Sequence, residues 1–218
     1  MSNPKRPVTQ LREFIPLMQP SRPVLVTSRF ANGRFNVAPF SWCTPVSQEP
    51  PMLALALLTT PRRQRSLINI LRDGQFVVNV PGPDLATRMV AASYWYPKGV
   101  NKLEHLGFGT APAQVLDLPL LSECRAHMEC RLVQAIVTGD HTTLIADVVA
   151  ASYDPAVYGS GMLMDLGRAA PLLHLRNFVT ADSQVHVFLA GGECRTYSVP
   201  FPPGGMDAMG RPTGDEED

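Results

Sequence analysis

The sequence predicts a mainly β fold, in which antiparallel strands form a barrel with helical insertions. Runs of β-branched and aromatic residues recur along its 218 residues, and glycine or proline turns separate them. Two long strand-like runs face each other across a turn at Gly139-Asp140. Strands do not alternate regularly with helices, and the chain has no Gly-x-Gly-x-x-Gly motif, so a Rossmann dinucleotide domain is disfavoured.

The first strands are predicted to form a hairpin. Arg22 to Phe30 is rich in β-branched residues, Asn32-Gly33 is a strong signal for a tight turn, and Arg34 to Phe40 supplies the return strand. The continuous apolar run from Met52 to Leu58 is typical of a strand that is buried on both faces.

A helix is predicted directly after this strand. Thr60 is a suitable N-cap, Pro61 suits the first helical position, and Asp73-Gly74 ends the helix. Gln75 to Val80 is predicted to be another strand. A second helix is expected over Asp84 to Tyr94, with Asp84 as its cap, and an irregular aromatic loop continues to Thr110.

The longest predicted strand pair comprises Cys124 to Val137 and His141 to Tyr153. Apolar and polar residues alternate in the first of these strands, so Cys124 and Cys130 are expected on the same face. Pro171 to Phe178 is predicted to be a last short core strand. The four cysteines are scattered, which makes a disulfide framework or a zinc site an unlikely interpretation.

We divide the chain into an N-terminal arm (1–20), one domain (21–199) and a disordered Pro/Gly-rich acidic tail (200–218). The tail contains five acidic residues and one arginine, which leaves 18 basic and 14 acidic residues and a charge of about +4 elsewhere. That charge is too small to indicate nucleic acid, but it suits a small anionic ligand. With no apolar run long enough for a bilayer and no signal-peptide core, we expect a cytoplasmic protein without membrane contact.

Arginines crowd the predicted helix start: Arg62, Arg63 and Arg65 follow Thr60 within five residues. A helix N-terminus carries a partial positive charge, so cations there are unfavourable unless an anion compensates them. Free backbone N–H groups, guanidinium groups and hydroxyls such as those of Thr60 and Ser66 would bind a phosphate well. A solvated basic turn, with its arginines pointing away, is the alternative interpretation.

The polar, proline-containing segment before the apolar strand is a second candidate site. Loops at barrel rims often build ligand sites, because the sheet does not use their backbone groups. Asn36, Ser41 and the backbone near Ala38 can hydrogen-bond a planar heteroaromatic ring, and Phe40 or Trp42 can cover its face. An ordinary strand end with core aromatics is the alternative.

Three further residues are candidates for chemistry. His141 lies at a turn, where it can relay protons or meet an anionic cofactor, although a histidine beside Asp140 also suits a structural role. Cys43 is either a redox thiol or inert packing. Asn79 lies within an apolar strand and needs a partner for its amide, so it either binds a cofactor or ties down a neighbouring loop.

In combination, these segments resemble the flavin reductase-like, FMN-binding split-barrel family, which includes flavoredoxins. The resemblance covers most of Arg22 to Thr180 and depends on the order and spacing of motifs that are loose individually. The motifs are the Pro-Val-Leu-Val-Thr strand, Gly33 with Asn36-Val-Ala-Pro, Ser47 with Pro50-Pro51, the arginine-rich helix start before Asn69-Ile70, Phe76-Val-Val-Asn79, Lys102-Leu-Glu, Gly139-Asp-His-Thr and Pro171-Leu-Leu-His-Leu.

The resemblance implies an antiparallel Greek-key split barrel that binds FMN near the interface of a homodimer. It places His141 and Cys43 near the nicotinamide or the flavin, as candidate catalytic residues, and it implies no metal. The candidate cofactor-binding residues are Asn36, Val37, Ala38, Pro39, Ser41, Trp42, Asn79 and Val80 for the ring and ribityl chain, and Thr60, Arg62, Arg63, Arg65 and Ser66 for the phosphate.

The implied activity is that of an NAD(P)H-dependent flavin oxidoreductase, in which a hydride passes to bound FMN and then to free flavin or another acceptor. A flavoredoxin-like electron carrier and a non-enzymatic flavin-binding protein are alternatives. A split-barrel oxidase acting on a pyridoxine-like substrate shares the fold, but the motif order fits flavin reductases better. Arg65-Ser66 departs from the Asp-Thr of many relatives, so the phosphate site is expected to be more cationic or differently organised.

Overall fold

The computed structural model describes residues 5–96, 100–180 and 182–202. The strands are β1 (Val24–Arg29), β2 (Phe35–Phe40), β3 (Cys43–Ser47), β4 (Met52–Leu58), β5 (Gln75–Val80), β6 (Thr110–Pro112), β7 (Pro119–Leu121), β8 (Ala126–Thr138), β9 (His141–Tyr153), β10 (Leu172–Val179), β11 (Ser183–Ala190) and β12 (Glu193–Pro200). The α-helices are α1 (Arg65–Asp73), α2 (Ala86–Ala92), α3 (Lys102–His105) and α4 (Leu166–Ala169), and 3-10 helices cover Leu11–Met18, Pro83–Leu85 and Ser160–Met162.

The predicted mainly β class is confirmed. Within the described residues, the strands form an antiparallel seven-stranded sheet in the order β2-β1-β5-β8-β9-β4-β3, a three-stranded sheet β10-β11-β12 and a small β6-β7 pair. Helix α1 packs its apolar side chains Leu67 and Ile70 against the inner face of the large sheet, where Leu55, Leu57 and Phe76 are completely buried. This cluster holds together the elements that carry the candidate site.

The predicted first hairpin is confirmed. β1 and β2 pair from Val24 opposite Phe40 to Arg29 opposite Phe35. The turn requires a left-handed backbone at Gly33, whose φ is +84°, and glycine adopts that conformation without a steric penalty. Since β2 is an edge strand, one row of its backbone N–H and C=O groups is not used by the sheet.

Strand β4 lies where it was predicted, but the expectation that both of its faces are buried is wrong for this chain. Leu53, Leu55 and Leu57 point into the core, while Ala54 and Ala56 alternate with them and remain partly exposed. The reason is that one chain covers only the inner face of this sheet with α1 and the core. The outer face of β4 is therefore apolar without being buried in one chain.

The predicted helix after β4 begins later than expected. α1 starts at Arg65 with Gln64 as its N-cap residue, so Thr60 is not the cap and Pro61 is not the first helical residue. Gln64 instead closes a loop back to Leu58, because its side-chain oxygen accepts the Leu58 N–H (2.8 Å) and its own N–H donates to the Leu58 carbonyl (3.1 Å). The predicted end is confirmed: Gly74 adopts φ +66° and donates its N–H to Ile70.

The second predicted helix is shorter and is not capped by Asp84. Its first turn is a 3-10 helix, α2 covers only Ala86–Ala92, and the Asp84 carboxylate lies 3.4 Å from the Arg125 guanidinium instead. The segment expected to be irregular contains the short helix α3, and residues 97–99 within it lie outside the described residues.

The longest predicted strand pair is confirmed as β8 and β9, with the turn at Gly139 and Asp140. The expectation that Cys124 and Cys130 share a face is wrong. β8 starts only at Ala126, so its alternation does not extend to Cys124, and the two cysteines lie in different hydrophobic clusters. The four cysteines are free thiols.

The strand predicted over Pro171 to Phe178 is present as β10, but it is not the last strand, since β11 and β12 complete a second sheet with it. That sheet packs Leu172, Phe188 and Ala190 into a cluster with α2. Residues 203–218, most of the predicted acidic tail, lie outside the described residues. Among the helices of the described ranges, none combines the length and the apolar character that a membrane crossing requires.

Candidate functional site

A shallow cleft of about 330 Å³ opens on the outer face of the large sheet, at its β3 edge. The chain leaves β2 at Phe40 and turns at Ser41 and Trp42 into β3, and the Ala56 N–H donates to the Trp42 carbonyl (2.9 Å), which fixes this turn against β4. The small outward side chains of Ala54 and Ala56 on β4 leave room beside the Trp42 indole. The cleft is lined by Ser41, Trp42, Cys43, Thr44, Ala54, Ala56 and Thr143.

His141 flanks this cleft. Its ring packs on the Trp42 indole, with ring centroids 4.5 Å apart, and its Nδ1 lies 2.7 Å from a carboxylate oxygen of Asp140. Because a carboxylate is an acceptor, Nδ1 carries a proton and Nε2 is the second polar atom of the ring. The same contact, followed by the charge of His141, lowers the pKa of Asp140 below its usual value. The structure thus brings together Trp42 and His141, which are 99 positions apart in the sequence.

The turn that carries His141 also anchors the loop after β4. The N–H groups of Thr59 and Thr60 both donate to the Asp140 carbonyl (2.8 and 3.1 Å), and the Thr59 and Thr142 hydroxyls are 2.7 Å apart. Strand β4 therefore runs from the cleft, past His141, into the loop that holds the arginines. Thr60 is exposed within this loop.

The arginine-rich segment has the electrostatic character expected from the sequence. Arg65 is the first residue of α1, the first turn contains no acidic residue, and Gln64 makes no side-chain capping bond. Arg62 and Arg65 both pack on the indole of Trp95, at 4.5 and 5.1 Å from its centroid. Arg62 and Arg63 are exposed, and Arg65 is half-buried. Arg62 and Arg65 therefore belong to the segment at the positive end of α1.

Asn36 and Ser66 are also brought together, but in the interior. The Asn36 side-chain amide donates to the Ser66 hydroxyl (2.9 Å), and both residues are buried. This bond connects β2 to the start of α1. It therefore fixes the arginine-containing loop that precedes α1 relative to the edge strand β2.

Three residues of the predicted set belong to the interior instead. Val37 and Val80 are core residues. Asn79 is fully buried, and its amide is engaged on both sides: its oxygen accepts the Leu121 N–H (2.9 Å) and its nitrogen donates to the Leu25 carbonyl (3.1 Å). The alternative that Asn79 ties down a neighbouring loop therefore describes the structure. Ala38 and Pro39 lie on the edge strand β2, where backbone groups can meet a ligand.

Cys43 lines the cleft, but its chemistry does not favour a redox thiol. Burial raises the pKa of the Cys43 thiol to about 12, against a smaller lowering by Arg22. The sulfur is therefore protonated at neutral pH, whereas a reactive cysteine needs its thiolate. Of the two interpretations given above, packing at the cleft wall fits the structure better.

The sequence analysis gave no contact at the site to three residues near it, although Lys102 and His174 belong to the motifs that carry the resemblance. Trp95 belongs to the aromatic loop, which gave no signal that it would contact the arginines. The Lys102 ammonium is buried and donates to the Ala92 carbonyl (2.8 Å); burial, and secondarily Arg65, lowers its pKa to about 7. His174 on β10 lies 3.1 Å from the Ser41 hydroxyl and links the second sheet to the cleft. Each contact joins distant segments, so local patterns could not reveal it.

The arrangement suits a ligand with two chemically different ends. A planar apolar ring fits the cleft beside Trp42, and a phosphate fits the uncapped helix start with Arg62 and Arg65. Within the described part of the chain, no three histidine, cysteine or acidic side chains group as metal ligands would.

The antiparallel sheets define a mainly β fold with a cleft at the β3 edge of the large sheet. Residues 18–179 match the family model described as flavin reductase like domain, and the chain belongs to this family. The resemblance to flavin reductase-like split-barrel proteins, including flavoredoxins, is thereby confirmed.

Solved structures share the fold at low sequence identity. Nitrilotriacetate monooxygenase component B from Bacillus cereus has a TM-score of 0.72 and 20% identity, with 92% of this chain and 100% of that chain covered. Flavoredoxin from Methanosarcina acetivorans has a TM-score of 0.63 and 20% identity, covering 84% and 87%. The NADH:FAD oxidoreductase of Streptomyces globisporus C-1027 has a TM-score of 0.62 and 17% identity, covering 88% and 98%.

Proposed function

We propose that this protein binds FMN and acts as an NAD(P)H-dependent flavin reductase. The observation that carries the proposal is the continuity of the site: strand β4 leads from an apolar cleft beside Trp42, past His141, to arginines at an uncapped helix start. FMN has the matching order of parts, with a planar tricyclic ring at one end and a phosphate at the other. Family membership supports a flavin-related oxidoreductase.

The residues present fit FMN at both ends. The ring would lie in the cleft against Trp42, whose side chain is 41% exposed, and the edge strand β2 would offer its unpaired backbone groups to the polar edge of the ring. The phosphate would bind Arg62, Arg65 and the first N–H groups of α1 by charge-assisted hydrogen bonds.

Bound FMN would supply the redox chemistry, accepting a hydride and passing electrons to an acceptor. The chain contributes position and surroundings. Asp140 holds the His141 ring so that Nδ1 donates to the carboxylate, which leaves Nε2 to contact a ligand at the cleft. Trp42 packs on the other side of this histidine and restricts its rotation. Free flavin is the proposed acceptor.

A homodimer and a cytoplasmic location belong to the same proposal. The cleft opens on the outer sheet face, where one chain leaves Ala54, Ala56 and Trp42 accessible. A second copy on this face would cover the cleft and exclude water from it. NADH and NADPH as donors imply the cytoplasm.

Titration of the purified protein with FMN, followed by flavin fluorescence, tests the binding step. Arg65→Gln removes one charge-assisted contact, worth about 1.5 to 3 kcal/mol, so we expect FMN affinity to fall by roughly tenfold to a hundredfold. Riboflavin lacks the phosphate, and its affinity should not change. Arg63→Gln is the matched control, since Arg63 is exposed and lies two residues away; it should bind FMN with nearly wild-type affinity.

Anaerobic addition of NADH or NADPH to the FMN complex tests the reductase step. Bleaching of the flavin absorption, and catalytic oxidation of the nicotinamide when free FMN is added, are expected. Binding of FMN without reduction by either nicotinamide would favour the electron carrier or the non-enzymatic flavin-binding protein. A wild-type protein that fails to bind FMN would rule out the proposal altogether.

A further inference from the structure

We propose that His174 is a positioning residue for the flavin ring: it orients the Ser41 hydroxyl at the wall of the cleft. This inference rests on the proposed function and deepens it, because it concerns how the ring end of FMN is held. Ser41 directly follows β2, and His174 lies on β10, 133 positions further along the chain. The two residues therefore meet only because the second sheet packs against the cleft.

The contact joins a polar group of the cleft wall to a buried ring. The His174 Nδ1 lies 3.1 Å from the Ser41 hydroxyl oxygen, and Ser41 is one of the residues that line the cleft. Burial lowers the pKa of His174, against a smaller rise from the Arg176 backbone, so the ring is neutral at neutral pH. In a neutral imidazole one nitrogen donates and the other accepts. Nδ1 thus fixes whether the Ser41 hydroxyl donates to the ring or accepts from it, and which role remains for a ligand.

Packing alone does not explain a histidine at this position. The His174 ring lies among aromatic side chains, with centroid distances of 5.3 Å to His186 and to Phe188, where an apolar ring would also pack. The residue is only 9% exposed, and its buried Nε2 makes no hydrogen bond within the described ranges, which costs free energy. The contact between Nδ1 and Ser41 is what distinguishes histidine from an apolar ring here.

The backbone of His174 is held at both edges of β10. On one side its N–H donates to the Ser21 carbonyl (2.8 Å), and its carbonyl accepts the Ser21 N–H (3.0 Å). On the other side it lies opposite Phe188 of β11. The register with β11 shifts between His174 and Arg176, so β10 carries one extra residue directly after the histidine. Bulges of this kind are common next to functional sites, where they re-aim a side chain.

A hydroxyl held in this way suits the recognition of a flavin ring. A serine hydroxyl rotates to suit its partners, and fixing such a group only when a ligand binds reduces affinity. The contact with His174 limits that rotation before the ligand arrives. The polar edge of the isoalloxazine ring carries both donors and acceptors, so a hydroxyl of fixed direction can match one of them. We therefore expect His174 to act on the ring end of FMN and not on its phosphate.

Flavin titration of His174 variants tests the inference. His174→Phe keeps a ring but removes Nδ1, and we expect the affinities for FMN and for riboflavin to fall together, by about fivefold. The absorption spectrum of the bound flavin should shift towards that of a Ser41→Ala variant. His174→Asn returns a polar atom near the position of Nδ1 and should recover most of the loss. His186→Phe is the matched control, because His186 packs on the same cluster but its Nε2 lies 3.4 Å from Gln184; it should keep both the affinities and the spectrum.

A double-mutant cycle separates positioning from a general loss of structure. If His174 acts through Ser41, His174→Phe should weaken flavin binding by less than about twofold in a Ser41→Ala background. The same loss in both backgrounds would overturn the inference, and so would unchanged affinity in the single variant or a loss confined to FMN. A His186→Phe variant with the same spectral shift would overturn it as well, since the effect would then belong to the aromatic cluster.

Nitrogen NMR of the wild type supplies a test that does not depend on the folding of a variant. Binding of either flavin should move the imidazole nitrogen resonances of His174, whereas those of His127, whose Nδ1 lies 2.9 Å from Asn79 in the interior, should stay in place. Unmoved His174 resonances at flavin saturation would overturn the inference. A wild-type protein that binds no flavin overturns the proposed function and this inference with it. Intact wild-type binding with a failed cycle overturns the role of His174 alone.

Discussion

At the scale of single residues, Glu129 shows how burial and backbone geometry can override a sequence pattern. Glu129 lies on the polar side of β8, yet the residue is 2% exposed, and its carboxylate accepts the N–H groups of Gln114, Val115 and Leu116 (2.7 to 2.8 Å). The register shift beside Glu129 adds one residue, Val149, to β9, while β8 stays in register with β5, so the loop that donates these N–H groups, and not a change of face, buries the side chain. One side chain thereby fixes the loop between β6 and β7.

Replacement of Glu129 should destabilise the protein in proportion to the acceptors lost. Glu129→Ala leaves three N–H groups in or near the interior without their acceptor, and we expect the free energy of unfolding to fall by roughly 3 kcal/mol or more. Glu129→Gln keeps one side-chain oxygen and should lose less. Urea denaturation measures both, with exposed Glu104→Ala as the control. Equal stability of the two alanine variants would contradict the structural role given to Glu129.

At the scale of elements, the second sheet is built around buried histidines as well as apolar residues. His174 on β10 and His186 on β11 have ring centroids 5.3 Å apart, and His186 stacks on Phe188 at 5.8 Å. Burial, followed by the nearby His174, lowers the pKa of His186 to about 4, and burial also lowers the pKa of His174. Both rings are therefore neutral in the folded protein at neutral pH.

These pKa values predict that the folded state loses stability as the pH falls. The unfolded chain binds a proton at His186 below about pH 6.5, whereas the folded chain does so only near pH 4, so protons favour unfolding between these values. His186→Phe should remove about 2 to 3 kcal/mol of that pH-dependent loss. The curve of unfolding free energy against pH should therefore be flatter in this variant.

Chemical denaturation at several pH values between 7 and 4 measures this difference. His105→Phe is the control histidine, because His105 is exposed on α3. If the unfolding free energies of the wild type and of His186→Phe change with pH in parallel, the prediction is contradicted. The result also concerns the site, since His174 contacts Ser41 at the cleft.

For the molecule as a whole, the part of the large sheet's outer face around β3, β4 and the start of β9 is an exposed surface with apolar side chains. The register aligns Ile136, Thr143 and Ala56 across β8, β9 and β4, and Trp42 lies next to this row. Trp42 and Ile136 are 41% and 40% exposed. Exposed contiguous apolar patches commonly mark interaction sites, and the partner proposed above for this face is a second copy of the chain.

We predict that the protein sediments as a dimer and that a charge on this face separates the subunits. Ala54→Glu places a carboxylate at the cleft side of the surface, and sedimentation velocity should show a shift towards the mass of one chain. Val179→Glu is the control, because it adds the same charge at an exposed position on β10, away from the cleft. A wild-type monomer, or an Ala54→Glu dimer of unchanged affinity, would contradict the prediction.

Much of the fold followed from local sequence features. The hairpin at Gly33, the strand β5, the helix end at Gly74 and the long β8-β9 pair were predicted because turn residues and alternation act over a few positions. The helix start was misplaced because Gln64 bonds to Leu58, and β11 and β12 were missed. The secondary-structure propensity of a local segment does not encode hydrogen bonds or strand pairings with another segment.

For the candidate site, local sequence patterns alone indicated that arginines cluster at a helix start whose first turn contains no acidic residue, since charge and helix polarity are local properties. They also marked Trp42, Cys43 and His141 as candidates. The packing of the whole chain, in contrast, places the Asn79 amide in the interior, raises the pKa of the Cys43 thiol and brings Trp95 into contact with the arginines. The physical reason is that burial, pKa and ring contacts depend on distant segments, whose approach is fixed by the packing of the whole chain.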